Sequence, residues 1–205
     1  MARVKFVAII VAAIAAFFAT PAGAMQVDFT HGAFAPIGEL TSVPIGHAEF
    51  CRTYRGECGP NVNSVAAVEL TDRSWNLLLA VNSEINASIE PVTDLDLYQV
   101  AEFWTYPDGK GDCEDYVLAK RRALIEAGWP ASTLLMAVVR QQNGEGHAVL
   151  MVRTDRGDLV LDNQDGYVRV WNDTPYQFLK RQSQADQGKW VDILDGRATI
   201  VAASR

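Results

Sequence analysis

Gly111-Asp112-Cys113-Glu114-Asp115-Tyr116-Val117-Leu118 is the stretch on which the fold of this chain turns. Asp112 is a favourable helix N-cap, and Asp115 stands where a capping-box acid would. Val117, Leu118, Leu124 and Ile125 make the apolar stripe of the helix that follows, and Gly128 and Pro130 end it. Cys113 therefore lies in the first helical turn. Unpaired backbone N–H groups and the positive end of the helix dipole favour a thiolate there. The same groups would stabilise a tetrahedral oxyanion. Gly111 lets the chain turn tightly into the helix.

Downstream, the period changes. Leu134 to Arg140, His147 to Arg153, Leu159 to Asn163 and Tyr167 to Trp171 read as strands, with turns at Asn143-Gly144, Arg156-Gly157 and Asp165-Gly166. Upstream, Asn63 to Ile89 predicts one long helix or two short ones, with Leu70, Trp75, Leu78, Leu79, Asn82 and Ile85 on one face. Pro91 to Pro107 reads as a loop anchored by Tyr98, Phe103, Trp104 and Tyr106. Residues 25–62, punctuated by glycine and proline, predict an irregular N-terminal arm wrapped on the domain. Helices followed by an antiparallel meander make an α+β domain, with helices packed on the sheet.

The N-terminus has a separate logic. Arg3 and Lys5 precede an unbroken apolar run from Phe6 to Phe18, and Ala22-Gly23-Ala24 is a small-x-small cleavage site. This is the layout of a signal peptide over residues 1–24, and the run is too short to span a bilayer. The expected product, Met25 to Arg205, is a single domain, periplasmic or secreted, and not an integral membrane protein after cleavage. The chain carries a net charge of −7, which loss of two basic residues takes to −9. Such an acidic domain is a poor match for nucleic acid.

Three cysteines are present. Cys51 and Cys58 lie in a loop-like stretch and read as a disulfide in an exported protein, which leaves Cys113 unpaired. The bland alternative for Cys113 is a buried, inert thiol. A nucleophile needs a base. His31 and His47 fall in the arm and read as loop histidines, whereas His147 opens a predicted strand. Asp162 follows three apolar strand residues, where an acid is costly to bury unpartnered. If Arg153 pairs with Asp158 across the turn, Val149 faces Asp162, which then lies diagonal to His147 on the same sheet face. A slip of one residue would turn Asp162 to the other face. Cys113, His147 and Asp162 thus form a candidate nucleophile, base and orienter.

Asp112, Glu114 and Asp115 crowd the thiol with negative charge, which opposes the helix effect. Two resolutions stand open: the acids point outward with Asp112 and Asp115 capping the helix, or they bind a hard cation, Ca²⁺ being the best suited.

These motifs, together with Val81-Asn82-x-x-Ile85-Asn86, Trp104-Thr105-Tyr106-Pro107, Gly146-His147-Ala148-Val149-Leu150 and Val160-Leu161-Asp162-Asn163, resemble the bacterial transglutaminase-like cysteine proteinases. The resemblance runs over nearly the whole chain beyond residue 24. It implies a transglutaminase-like or papain-like core, a Cys113–His147–Asp162 triad and a protein or peptide substrate. In the best-understood branch of that family the enzyme is periplasmic, trims cell-surface adhesins and binds Ca²⁺ through acids at the positions of Asp112 and Glu114. The stretch from Trp104 to Gly111 is shorter here than in that branch. By similarity to some transglutaminases, Trp104 would lend its indole N–H to the oxyanion; core packing beside Phe103 is the alternative. The expected reaction is hydrolysis of a peptide or amide bond through a thioester, with no cofactor needed for the chemistry itself. Acyl transfer from glutamine to an amine, and a catalytically silent peptide-binding module, are the rival functions.

Overall fold

The computed structural model describes residues 32–197. The apolar leader with its cleavage site, and His31, lie outside the described residues. Helix α4 (Cys113–Glu126) is the helix expected from Gly111 to Leu118. It ends at Gly128, whose φ of +93° suits glycine. There the N–H groups of Gly128 and Trp129 close on the carbonyls of Ile125 and Leu124. The helix lies across strand β5 (Gly146–Arg153), and α2 (Asp72–Ser88) packs against α4.

The main sheet has seven antiparallel strands in the order β1-β9-β8-β4-β5-β6-β7. Its central strands are β4 (Leu134–Arg140), β5 and β6 (Asp158–Leu161), with β7 (Arg169–Val170) at one edge. On the other side stand β8 (Gln177–Gln182), β9 (Trp190–Ile193) and β1 (Ile37–Thr41). Leu135, Val149, Leu150, Met151 and Leu161 are wholly buried, so the core sits where this sheet meets α4. At ~1.5–3 kcal/mol for each large apolar side chain removed from water, this contact dominates the stability of the domain. The α+β expectation holds, and β5 pairs with β6 in the expected register, Arg153 opposite Asp158 and Leu150 opposite Leu161.

Three local expectations are corrected. The arm is not irregular: it contains β1, which pairs with β9, and helix α1 (Ile45–Thr53). Pro44 sits at the start of α1, where a missing N–H costs nothing. Gly46 is required by packing, because a Cβ there would come within 2.3 Å of the Trp104 ring. Helix α2 starts at Asp72, not near Asn63, because Thr71 and Ser74 form a reciprocal capping box that fixes its first turn. Within the expected loop of 91–107, Thr93 caps the short helix α3 (Asp94–Tyr98). A small parallel pair, β2 (Glu90–Pro91) and β3 (Lys110–Gly111), then leads into Cys113.

Candidate active site

Three elements bring the site together. The start of α4 supplies Cys113, β5 supplies His147, and the residue just beyond β6 is Asp162. His147 Nε2 lies 2.9 Å from Asp162 Oδ1, and both side chains are almost fully buried. Asp162 Oδ1 also accepts the Gln164 N–H at 3.0 Å, and its backbone carbonyl accepts the Asn86 side-chain amide at 2.8 Å. Its second oxygen, Oδ2, accepts the Tyr176 hydroxyl at 2.5 Å. Burial pushes the carboxyl of Asp162 up, but the bonds and charge from His147, with the Tyr176 and Gln164 bonds, outweigh it and hold the pKa below the usual range. Nε2 is engaged by Asp162, and the Gln164 side-chain amide lies 3.5 Å from the other ring nitrogen, Nδ1.

The thiol of Cys113 is half-buried, 3.2 Å from Glu114 Oε2. Burial raises its pKa most, the charge and hydrogen bond of Glu114 raise it further, and the backbone N–H of Ala148, next to His147, acts the other way. The tension read from the sequence is therefore present in the fold.

The acids do not point outward. Glu114 and Asp115 are buried, and they meet Asp94, an acid that sequence reasoning missed. Carboxylate oxygens of Asp94, Asp112 and Asp115 lie within 4.8 Å of one another, and Asp112 and Glu114 form a second such group with the Cys113 thiol. Asp112 takes the N-cap position but makes no side-chain cap bond; its Oδ2 accepts the Asp94 N–H at 3.2 Å. Asp94 accepts the Phe103 N–H, and Asp115 accepts the Thr105 N–H at 3.0 Å. The opposite oxygens, Asp94 Oδ1, Asp112 Oδ1 and Asp115 Oδ2, are buried without a hydrogen-bond partner. Burial and mutual repulsion push Asp115 up to about 7 and Glu114 up to about 10, and raise Asp94. Among the described residues, no lysine or arginine forms an ion pair with any of them. Orphaned, all-oxygen and close together, this donor set fits a hard divalent cation and not zinc.

Trp104 is 6% exposed, packed between Gly46 and the rings of His47 and Trp190. Its indole N–H donates to Glu102 Oε2 at 3.0 Å, so that donor is already engaged. Cys51 and Cys58 form a disulfide. His47, expected in a loop, is fully buried beside it and accepts the Trp190 indole N–H at 3.1 Å. Tyr176 and Asp94 had no motif to announce them. The one available signal was arithmetic: a buried Asp162 needs donors for both oxygens.

A cysteine at a helix start, set against a histidine–aspartate pair on an antiparallel sheet, belongs to the transglutaminase-like class of cysteine peptidases. This chain is a member of the bacterial transglutaminase-like cysteine proteinase family, whose model matches residues 37–198. No curated protein matches its sequence. Among solved structures, calcium-bound LapG of Legionella pneumophila superposes with a TM-score of 0.50 at 20% identity, over 64% of this chain and 81% of that one. A second structure of Legionella pneumophila LapG gives 0.49 at 22% identity, over 62% and 72%. The EGTA-treated form gives 0.49 at 22%, over 61% and 73%. The first of these likenesses supports the transglutaminase-like fold.

Proposed function

We propose that this chain is an exported cysteine peptidase that hydrolyses a peptide bond of a protein substrate through Cys113, His147 and Asp162. The observation that carries the reading is the buried His147–Asp162 pair, which fixes one imidazole nitrogen and leaves Nδ1, approached by the Gln164 amide at 3.5 Å, on the strand whose Ala148 N–H meets the Cys113 sulfur. His147 Nδ1 takes the thiol proton as sulfur attacks the carbonyl carbon. Backbone N–H groups at the start of α4 hold the oxyanion. The proton passes to the leaving amine, the C–N bond breaks, and a thioester remains. Water attacks the thioester while Nδ1 takes its proton, and the proton returns to sulfur as the acid product leaves. Asp162 holds the ring tautomer throughout.

Asp94, Asp112, Glu114 and Asp115 would hold a Ca²⁺ ion, which cancels the charge that raises the thiol pKa. The orphaned oxygens of Asp94, Asp112 and Asp115 support that assignment, and the calcium in one LapG structure accords with it. The oxyanion role is not given to Trp104, whose N–H is held by Glu102. Export is supported by the leader pattern of residues 1–24 and by the Cys51–Cys58 disulfide. Turnover of fluorescently labelled casein, with and without a labelled primary amine, tests the reading. Cys113→Ala should abolish turnover. Wild-type activity in that variant would end the proposal, and incorporation of the amine into product would replace hydrolysis with acyl transfer.

A further inference from the structure

We infer that Tyr176 is a positioning residue of the reaction, holding Asp162, and through it His147, in working geometry; this rests on the triad reading above. An ionised carboxylate only orients an imidazole if the carboxylate itself cannot turn. Asp162 Oδ1 serves His147 and the Gln164 N–H, and a rotation about the Cβ–Cγ bond would exchange it for Oδ2. Oδ2 is pinned by the Tyr176 hydroxyl at 2.5 Å, a length in the range of a charge-assisted O–H···O⁻ bond. Tyr176 is only 8% exposed, so water does not readily replace that donor. Burial, with the hydrogen bond and charge of Asp162, holds the phenol above its usual pKa, so it stays a donor across the neutral range.

The same side chain has a second contact. Its ring stands edge-on to the His147 imidazole, with centroids 5.4 Å apart and planes at 61°. One residue therefore grips the carboxylate and limits the tilt of the base. The segment that carries it is itself braced. The Thr174 hydroxyl donates to the Trp171 carbonyl at 2.7 Å, Arg197 Nη1 donates to the Thr174 carbonyl at 3.0 Å, and Pro175 removes a backbone freedom just before the tyrosine. A tyrosine serving only to fill space would need neither the hydroxyl partner nor this bracing.

The test is a double-mutant cycle with Tyr176→Phe and Asp162→Ala, read by casein turnover and by the rate at which iodoacetamide alkylates Cys113. Asp162→Asn takes the place of the alanine if that chain does not give a native melting transition. Tyr176→Phe keeps the ring and removes one oxygen. Expected is a fall in kcat and alkylation rate of about tenfold, the scale of one hydrogen bond to a charged group, with KM little changed. In the Asp162-substituted chain the same change should have no further effect, because there is no carboxylate left to hold. Equal losses in both backgrounds, or no loss in either, overturn the role of Tyr176. If the Asp162 variant itself keeps wild-type rates, the triad reading fails and this inference falls with it. If the Asp162 variant is slow and Tyr176→Phe is not, only the role of Tyr176 fails.

Discussion

Lys120 should destabilise the fold in a way that depends on pH, and Lys120→Met should reveal it. The residue lies two turns along α4 from Cys113 and is 1% exposed. Its ammonium lies 5.9 Å from the centre of the Tyr116 ring. Burial lowers its pKa from 10.5 to about 7, against the pull of Asp162. The unfolded chain thus keeps this proton up to about pH 10.5 and the folded chain releases it near 7. Between those values the unfolded state binds more protons, so this group makes stability rise with pH. At about 1.4 kcal/mol per pH unit, the cost is about 5 kcal/mol at pH 6 and about 2 kcal/mol at pH 9. Methionine nearly conserves the volume, and at pH 6, where the lysine is charged, loss of the cation–ring contact takes back about 0.5–1 kcal/mol. Lys120→Met should therefore gain about 4 kcal/mol at pH 6 and about 2 kcal/mol at pH 9. Urea unfolding of both chains at the two pH values measures the difference. A gain that is the same at both, or a loss at both, would refute a lysine that is costly to charge.

Asp94→Asn should weaken calcium binding in calorimetric titration by tenfold or so, since it removes a charge from the orphaned oxygens; no heat from the wild type at millimolar Ca²⁺ would remove the metal from the account. Chelation of the wild type should lower both its melting temperature and its alkylation rate at Cys113, and calcium should restore them. Replacing Cys51 and Cys58 by serine opens a loop with a sequence separation of seven. On chain entropy this costs about 2.5 kcal/mol, readable as a lower urea midpoint with an unchanged slope.

The helix at Cys113 and the β5–β6 register were legible because each rests on neighbours in sequence. Caps, glycines and the Arg153–Asp158 pair specify them without help from the rest of the chain. Asp162 could be placed against His147 for the same reason. What stayed hidden depends on distant partners. Asp94 lies in a stretch that reads as a loop, and only the fold sets it against Asp112, while Tyr176 carries no local pattern. Strand β8 has no signature in the sequence because Arg181 and Gln182 are buried, which breaks the polar–apolar alternation. The arm reads as irregular because Gly46 resembles a breaker, although it is the space that Trp104 occupies.

In the proposed triad the base and its orienter belong to one hairpin, whereas the nucleophile arrives on a helix from an earlier part of the chain. The hairpin can pair as soon as it has been synthesised, but it has no thiol to activate until α4 docks on β5. While it is being made, and for as long as it stays unfolded, this chain would carry a cysteine no more reactive than any other. On that reading its destructive chemistry waits for the closing of its own core, which makes folding a precondition of activation.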